Sequence, residues 1–193
     1  MILNSDRMKK NARILDATAA NRTIWKTKES PHIFWIDIED DLTIKPDKIM
    51  DCRNTGFDEG VFHTIYFDPP HEFGRTKNTS VYTTPNTSKL TEKWPNIKRT
   101  VHCYYGADKY KTRSDLMEFI FQSQQEFNRI LSDDGQLWLK WSENRIKLNE
   151  ILGVFVGWTE MMRIPIKTLS ENATPSYWIM LMKQHTAPRQ GTL

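Results

Sequence analysis

Asp68, Pro69, Pro70 and His71 follow directly on an apolar run, Thr64, Ile65, Tyr66 and Phe67. Two successive prolines fix φ and remove two backbone donors, so this turn is stiff and rich in carbonyl acceptors. Such a turn can hold a planar exocyclic amine. The Asp68 carboxylate accepts one N–H, the Pro69 carbonyl accepts the other, and His71 stacks on the attached ring. The nitrogen lone pair then faces an electrophile, and positioning and electrostatics supply most of the catalysis. No metal and no dedicated general base is implied. A neutral imidazole stacks more weakly than Tyr, Phe or Trp, but it can also donate a hydrogen bond or titrate.

Three more carboxylates close short β-like runs upstream. Ile14 and Leu15 lead into Asp16, which opens a run of small residues, Ala17, Thr18, Ala19 and Ala20, followed by Asn21 and Arg22. Small side chains suit a backbone that must approach a ligand closely. Some twenty residues on, Phe34, Trp35 and Ile36 end in Asp37, Ile38 and Glu39, an offset at which an acid commonly accepts from ribose hydroxyls. Ile49 and Met50 then precede Asp51, Cys52 and Arg53, where Asp51 can meet an adenine amino group. In open α/β sheets, ligands bind outside the carboxyl ends of the strands, which is where Asp16, Asp37, Asp51 and Asp68 fall.

With those residues in order, the sequence resembles class I S-adenosylmethionine-dependent methyltransferases over nearly its whole length. More narrowly, it is similar to a small, mostly phage and prokaryotic group with an Asp-Pro-Pro-His motif, related to amino methyltransferases of the N6-adenine type. That group reads Asp-Ala-Cys-Cys-Gly-Ser-Arg with a Trp shortly after, then Asp-Ile-Arg, Asp-Phe-Arg, Asp-Pro-Pro-His, Tyr-Gly and Lys-Trp-x-Glu. The matching residues are Asp16, Ala17, Arg22 and Trp25; Asp37 and Ile38; Asp51 and Arg53; Asp68 to His71; Tyr105 and Gly106; and Lys140, Trp141 and Glu143.

The resemblance implies S-adenosylmethionine as cofactor, with contacts at Asp16, Ala17, Thr18, Ala20, Arg22, Asp37, Ile38, Asp51, Cys52, Arg53 and Asp68. It implies catalytic roles for Asp68, Pro69, Pro70 and His71, and substrate contacts at Tyr105, Lys140 and Trp141. Arg22 is placed to reach the cofactor carboxylate, a nucleic-acid phosphate or a surface carboxylate, and Trp141 to line the pocket or fill the core. Thr18 and Ala19 stand where the group has its Cys pair, Ala20 where it has glycine, and Glu39 where it has arginine. The Ala20 methyl would crowd the methionine end of the cofactor or oppose a positive φ.

The elements that must carry these residues alternate as an α/β domain does. Strands are expected at Arg13 to Asp16, His32 to Ile38, Lys48 to Asp51, Thr64 to Phe67, Gln136 to Trp141, Met161 to Lys167 and Tyr177 to Lys183. The last two read as an antiparallel hairpin closing a mostly parallel seven-stranded sheet, a Rossmann-like class I methyltransferase fold. One helix starts near Ser114, capped by Thr112 or Ser114, with Leu116, Phe119, Ile120, Phe127, Ile130 and Leu131 on one face. Asp133, Asp134 and Gly135 then turn the chain. A second helix is expected from Ser142, turning Ile146, Leu148, Ile151 and Leu152 inward, and residues 184–193 read as a loose tail.

The 193 residues suit one domain over residues 1–193. Only 8 are glycine and none precedes Gly56, which excludes a GxGxxG loop in the first third. Between Glu72 and Arg113, nine basic residues face three acidic ones, with Tyr82, Trp94, Tyr104 and Tyr105 interleaved. A basic, aromatic-studded insertion over 72–113 suits an anionic partner with stackable bases. Cys52 and Cys103 form neither a disulfide framework nor a zinc set, and nothing has the length of a membrane span. The expectation is a cytoplasmic N-methyltransferase acting on an exocyclic amino group of a nucleobase, adenine favoured, in DNA or RNA. With no separate target-recognition domain, low sequence specificity, a structured RNA substrate or a partner that supplies recognition is expected, and the candidate protein partners are a recognition partner or a homodimer. Two alternatives stay open: a protein amide or small heteroaromatic amine as acceptor, and a non-catalytic binding protein that retains the fold.

Overall fold

The computed structural model describes residues 11–74, 109–167 and 174–184. In chain order these form β1 (Ile14–Asp16), β2 (Ile33–Asp37), β3 (Lys48–Ile49), β4 (Phe62–Phe67), α1 (Arg113–Ile130), β5 (Leu131–Ser142), α2 (Leu148–Leu152), β6 (Trp158–Pro165) and β7 (Ser176–Lys183). The strands make one seven-stranded sheet in the order β3-β2-β1-β4-β5-β7-β6. All neighbours from β3 to β5 are parallel, while β7 runs antiparallel to both β5 and β6. This is the expected Rossmann-like sheet with its terminal hairpin. From β1 the chain builds outward to β3, then returns to place β4 on the other side, so the order reverses between β1 and β4. That switch point puts Asp16 and the residue after Phe67 side by side.

One face of the sheet carries the main core. Leu15, Ile65, Phe67, Leu137 and Leu139 point to it and meet Leu116, Phe119, Ile120, Phe127 and Ile130 of α1. Each such side chain contributes about 1.5–3 kcal/mol on burial. The helix starts where its cap requires. Thr112 Oγ1 accepts from Asp115 N–H, and Asp115 Oδ2 accepts from Thr112 N–H at 2.9 Å, a reciprocal capping box.

On the opposite face, Trp35, Asp16, Tyr66, Trp138, Met180 and Met162 pair in register across six strands. Trp25, from the loop after β1, meets Trp35 and Tyr66 edge to face. Asp16 is thus the one acid in an aromatic and thioether row.

Several boundaries differ from expectation. β5 begins at Leu131, immediately after α1, and Asp133 to Gly135 lie inside it. Phe62 pairs with Leu131 and Thr64 with Gln136, so the expected turn persists as a bulge of surplus residues. Gly135 is required there, since a Cβ would sit 2.6 Å from Leu131 Cγ. The second helix starts at Leu148, not Ser142, because Trp141 Nε1 donates to Ile146 O at 3.0 Å and Glu143 Oε1 accepts from Leu148 N–H at 2.9 Å. β3 ends at Ile49, leaving Asp51 just beyond it. β6 begins earlier, at Trp158, whose indole donates to Gln124 Oε1 at 2.7 Å, and ends earlier, at Pro165. Among the described residues no helix is long and apolar enough to cross a membrane.

Candidate functional site at the strand ends

Asp16 is almost fully buried at the end of β1. Its Oδ2 accepts from Trp25 Nε1 at 2.7 Å, and its Oδ1 from Thr18 N–H at 3.3 Å. Burial pushes its carboxyl up to about 7, the two donors offset only part of that rise, and neighbouring Asp68 and Asp37 add to it. Trp25 stands nine residues after Asp16, the place the group pattern gives its Trp, and that spacing was the signal in the sequence for this contact.

The loop that follows is held by its neighbours. Ala20 N–H donates to Asp37 Oδ2 at 2.8 Å, and Glu39 N–H donates to Asp37 Oδ1 at 2.9 Å. Ala20 has φ 43° and Arg22 φ 55°. The left-handed turn that glycine would favour is therefore kept with alanine in place, at a cost of about 1–2 kcal/mol. Ala17 and Ala19 are buried beneath it.

Arg22 faces inward. Its guanidinium lies 3.9 Å from the Trp35 ring centroid and donates to the carbonyls of Lys28 and Lys45, the latter at 2.7 Å. Those contacts tie the loop after β1 to the loop before β3.

At the end of β3, Asp51 accepts a fork of bonds from Arg53, with Nη2 to Oδ2 at 2.6 Å, and Arg53 Nη1 reaches Gln122 of α1 at 3.2 Å. Burial raises the Asp51 carboxyl, but the Arg53 contacts outweigh it and hold the group below its ordinary value. An open groove of about 600 Å³ runs from these two residues along Asn54, Gln122, Gln125 and Glu126. Cys52 is buried against Ser123, its sulfur 3.5 Å from the hydroxyl, and burial pushes its thiol up to about 12. Its side chain is thus a core element, and Ile38, 42% exposed, is the apolar side chain that faces outward beside Asp37.

Asp68 closes the group. Its N–H donates to Thr18 Oγ1 at 2.8 Å, joining the loop after β1 to the turn after β4. Lys140 Nζ donates to its Oδ2 at 2.7 Å, and His71 Nε2 lies 3.1 Å from its Oδ1. Burial alone would raise the Asp68 carboxyl. The His71 and Lys140 contacts prevail and hold it below the usual aspartate value. Trp141 is fully buried and meets the His71 ring edge to face, with centroids 5.0 Å apart.

Beyond the turn, Gly74 N–H donates to Tyr110 O at 2.7 Å, so the chain on either side of 75–108 meets at its base. Lys109 pairs with Glu39 at the end of β2. Tyr105 and most of the basic insertion lie outside the described residues. The structure therefore gathers Asp16, Thr18, Ala20, Asp37, Asp68, His71 and Lys140 into one cluster, with Asp51 and Arg53 at its rim. Arg22, Cys52 and Trp141 are turned into the supporting structure. Among the described residues no group of three His, Cys, Asp or Glu side chains could hold a metal ion.

No protein-family model matches this sequence, and no curated protein matches it. Among solved structures, the chain is similar to the PH0226 protein from Pyrococcus horikoshii OT3, at 11% identity and TM-score 0.54, covering 92% of this chain and 84% of that one. It is also similar to a TehB-like SAM-dependent methyltransferase from Corynebacterium glutamicum, at 14% identity and TM-score 0.51, covering 90% and 81%. At these identities the likeness is one of fold. The chain shares its Rossmann-like sheet with them, and Asp16, Asp37, Asp51 and Asp68 stand along the carboxyl edge of that sheet.

Proposed function

We propose that this chain is an S-adenosylmethionine-dependent N-methyltransferase whose acceptor is an exocyclic amino group of a nucleobase, adenine favoured, in DNA or RNA. The observation that carries the reading is the buried Asp68 carboxylate at the switch point, tied to the loop after β1 through Thr18 and kept anionic by Lys140. An amine placed against Pro69 and Asp68 would donate its hydrogens to them and turn its lone pair back toward that loop.

The residues fit the cofactor. Each Asp37 oxygen receives one backbone N–H, so each retains a lone pair for a ribose hydroxyl. Ile38 offers an apolar surface beside it, and Asp51 an acceptor at the rim. Buried Asp16 places a carboxyl that ionises near pH 7 beside a loop of small side chains. Bound there, the cofactor would supply an electrophilic methyl group on a cationic sulfur. Ala20 keeps the left-handed turn, so the glycine replacement leaves the loop's course intact.

The acceptor class rests on charge. Nine basic residues against three acidic ones between Glu72 and Arg113 favour a phosphate-bearing partner. Residues 72–113 would grip the backbone while the rest of a single domain performs the transfer, and a base in duplex would have to be flipped out. A cytoplasmic setting suits the buried, reduced Cys52.

The test is to incubate the full chain with methyl-labelled cofactor and mixed DNA and RNA, digest to nucleosides and identify the labelled one. Label in an N-methylated base is expected. Cofactor binding with label only in protein or small amines would move the acceptor class. No cofactor binding below millimolar concentration would sink the enzyme reading.

A further inference from the structure

We infer that β6 pairs with β6 of a second copy of this chain, antiparallel about a two-fold axis, to make a homodimer with one continuous sheet. Such pairing is independent of the proposed transferase.

Open apolar surface is concentrated at one edge of the molecule. Among the described residues, the large hydrophobics more than two-fifths exposed are Ile38, Ile49, Val156, Met161, Met162 and Ile164. Ile38 and Ile49 belong to the strand ends beside Asp37 and Asp51. The other four lie on β6 or two residues before it, at the outermost strand of the sheet. β6 has β7 on one side and, among the described residues, no strand on the other. Its outward N–H and C=O groups therefore offer a ladder to another strand. An open groove of about 420 Å³ runs along this edge, between Thr159 and Met161 of β6 and Met182 and Lys183 of β7.

The charges on β6 identify the partner. Residues three apart on a regular strand point to opposite faces. On β6 they do not, because Met161 is the surplus residue of a bulge: Glu160 pairs with Leu181 and Met162 with Met180. Glu160 and Arg163 therefore share a face, and Arg163 donates to both Glu160 oxygens, at 2.8 and 2.9 Å. Both side chains stay part exposed. A lysine on an edge guards it by repelling a second copy, and β6 has none. It carries one charge of each sign, placed symmetrically about Met161 and Met162. Where two copies meet antiparallel about that centre, Glu160 of each stands opposite Arg163 of the other and Thr159 opposite Ile164, with adaptable methionines in the middle. Pro165, lacking an N–H, ends the ladder. The edge is thus complementary to itself, as a two-fold interface requires. β5 and β6 both run antiparallel to β7, so in the pair the two carboxyl edges face opposite ways and each copy keeps its candidate site open.

Sedimentation equilibrium of the full chain from low micromolar concentration upward tests this, with twice the chain mass expected at the upper end. Glu160→Arg and Arg163→Glu each break the pair within the chain and set like charges across the axis, so each alone should dimerise about 10-fold or more weakly. Mixed one to one, they should form a heterodimer of near-parent affinity, because each arginine of one chain then faces a glutamate of the other while neither chain regains its internal pair. A parent that stays monomeric, single variants that dimerise as the parent does, or a mixture no tighter than its components overturns the inference. Hydrogen exchange in the parent checks the strand without any variant. The outward β6 amides should be protected in the dimer and exposed on dilution, and a dimer lacking that protection overturns the edge pairing.

Discussion

Lys140 Nζ lies 2.7 Å from Asp68 Oδ2, one step past the Phe67–Leu139 pair that β4 and β5 share. Strand register thus sets an ammonium against a buried carboxylate. Asp68 is held below its ordinary value, so it adds stability above the unfolded value near 3.8, and that stability is lost as pH falls through the folded value. Lys140→Met removes the cation, and burial then drives Asp68 upward. Urea unfolding of this variant should show a loss of about 2–3 kcal/mol near neutrality, shrinking toward pH 4. A midpoint unchanged across that range would refute the pairing.

Asp16 carries the opposite sign. Its value of about 7 lies above the 3.8 of an unperturbed aspartate, so between them the folded chain keeps a proton that the unfolded chain has lost. Stability is full below about pH 4 and declines as pH rises, by on the order of 4 kcal/mol past about pH 7. Asp16→Asn should flatten that decline and be more stable than the parent at about pH 8. Affinity for the cationic cofactor, read by calorimetry, should climb across the same window in the parent and not in the variant.

Ala20→Gly should stabilise the chain by up to about 1 kcal/mol, since glycine adopts the left-handed turn without strain. Ala19→Gly, at a buried position without positive φ, should destabilise it by about 0.5–1 kcal/mol. Thermal denaturation of the two variants compares them directly, and equal shifts would contradict the strained turn.

Arg22→Lys should lower stability by about 2–3 kcal/mol, because an ammonium lacks the planar fork that reaches the Lys28 and Lys45 carbonyls while lying flat on Trp35. If Arg22 served only a bound cofactor, the ligand-free midpoint would not move.

Replacing residues 76–108 with four Gly/Ser residues should leave the melting temperature within a few degrees, because Gly74 and Tyr110 already meet through a backbone bond. Salt-dependent oligonucleotide binding should weaken and its salt slope fall with the five basic residues this replacement removes, Lys77, Lys89, Lys93, Lys98 and Arg99. A shortened chain that still bound nucleic acid with the parent's salt slope would relocate the interface.

The strand ends were legible because each is a short apolar run closed by an acid, a local pattern; Asp16, Asp37, Asp51 and Asp68 all stand at the carboxyl edge. α1 was legible from its apolar face and Thr112 cap. The roles of Arg22 and Trp141 were not, because a motif fixes a position along the chain and says nothing of which way the side chain turns. Trp35 and two carbonyls draw Arg22 inward, and Ile146 draws Trp141. β5 was misjudged for a related reason: Asp133, Asp134 and Gly135 have turn chemistry, and only pairing with β4 decides that they bulge instead of breaking the strand.

Trp25 joins a fluorophore to a titrating acid. Its indole N–H rests on an Asp16 oxygen, and its ring lies against Tyr66 and Trp35. Excited indole responds to charge at its N–H edge, so the emission of this chain carries a readout of whether Asp16 is protonated, with Trp25→Phe as the blank. The occupancy of the site can therefore be followed optically, without label and without knowing the acceptor.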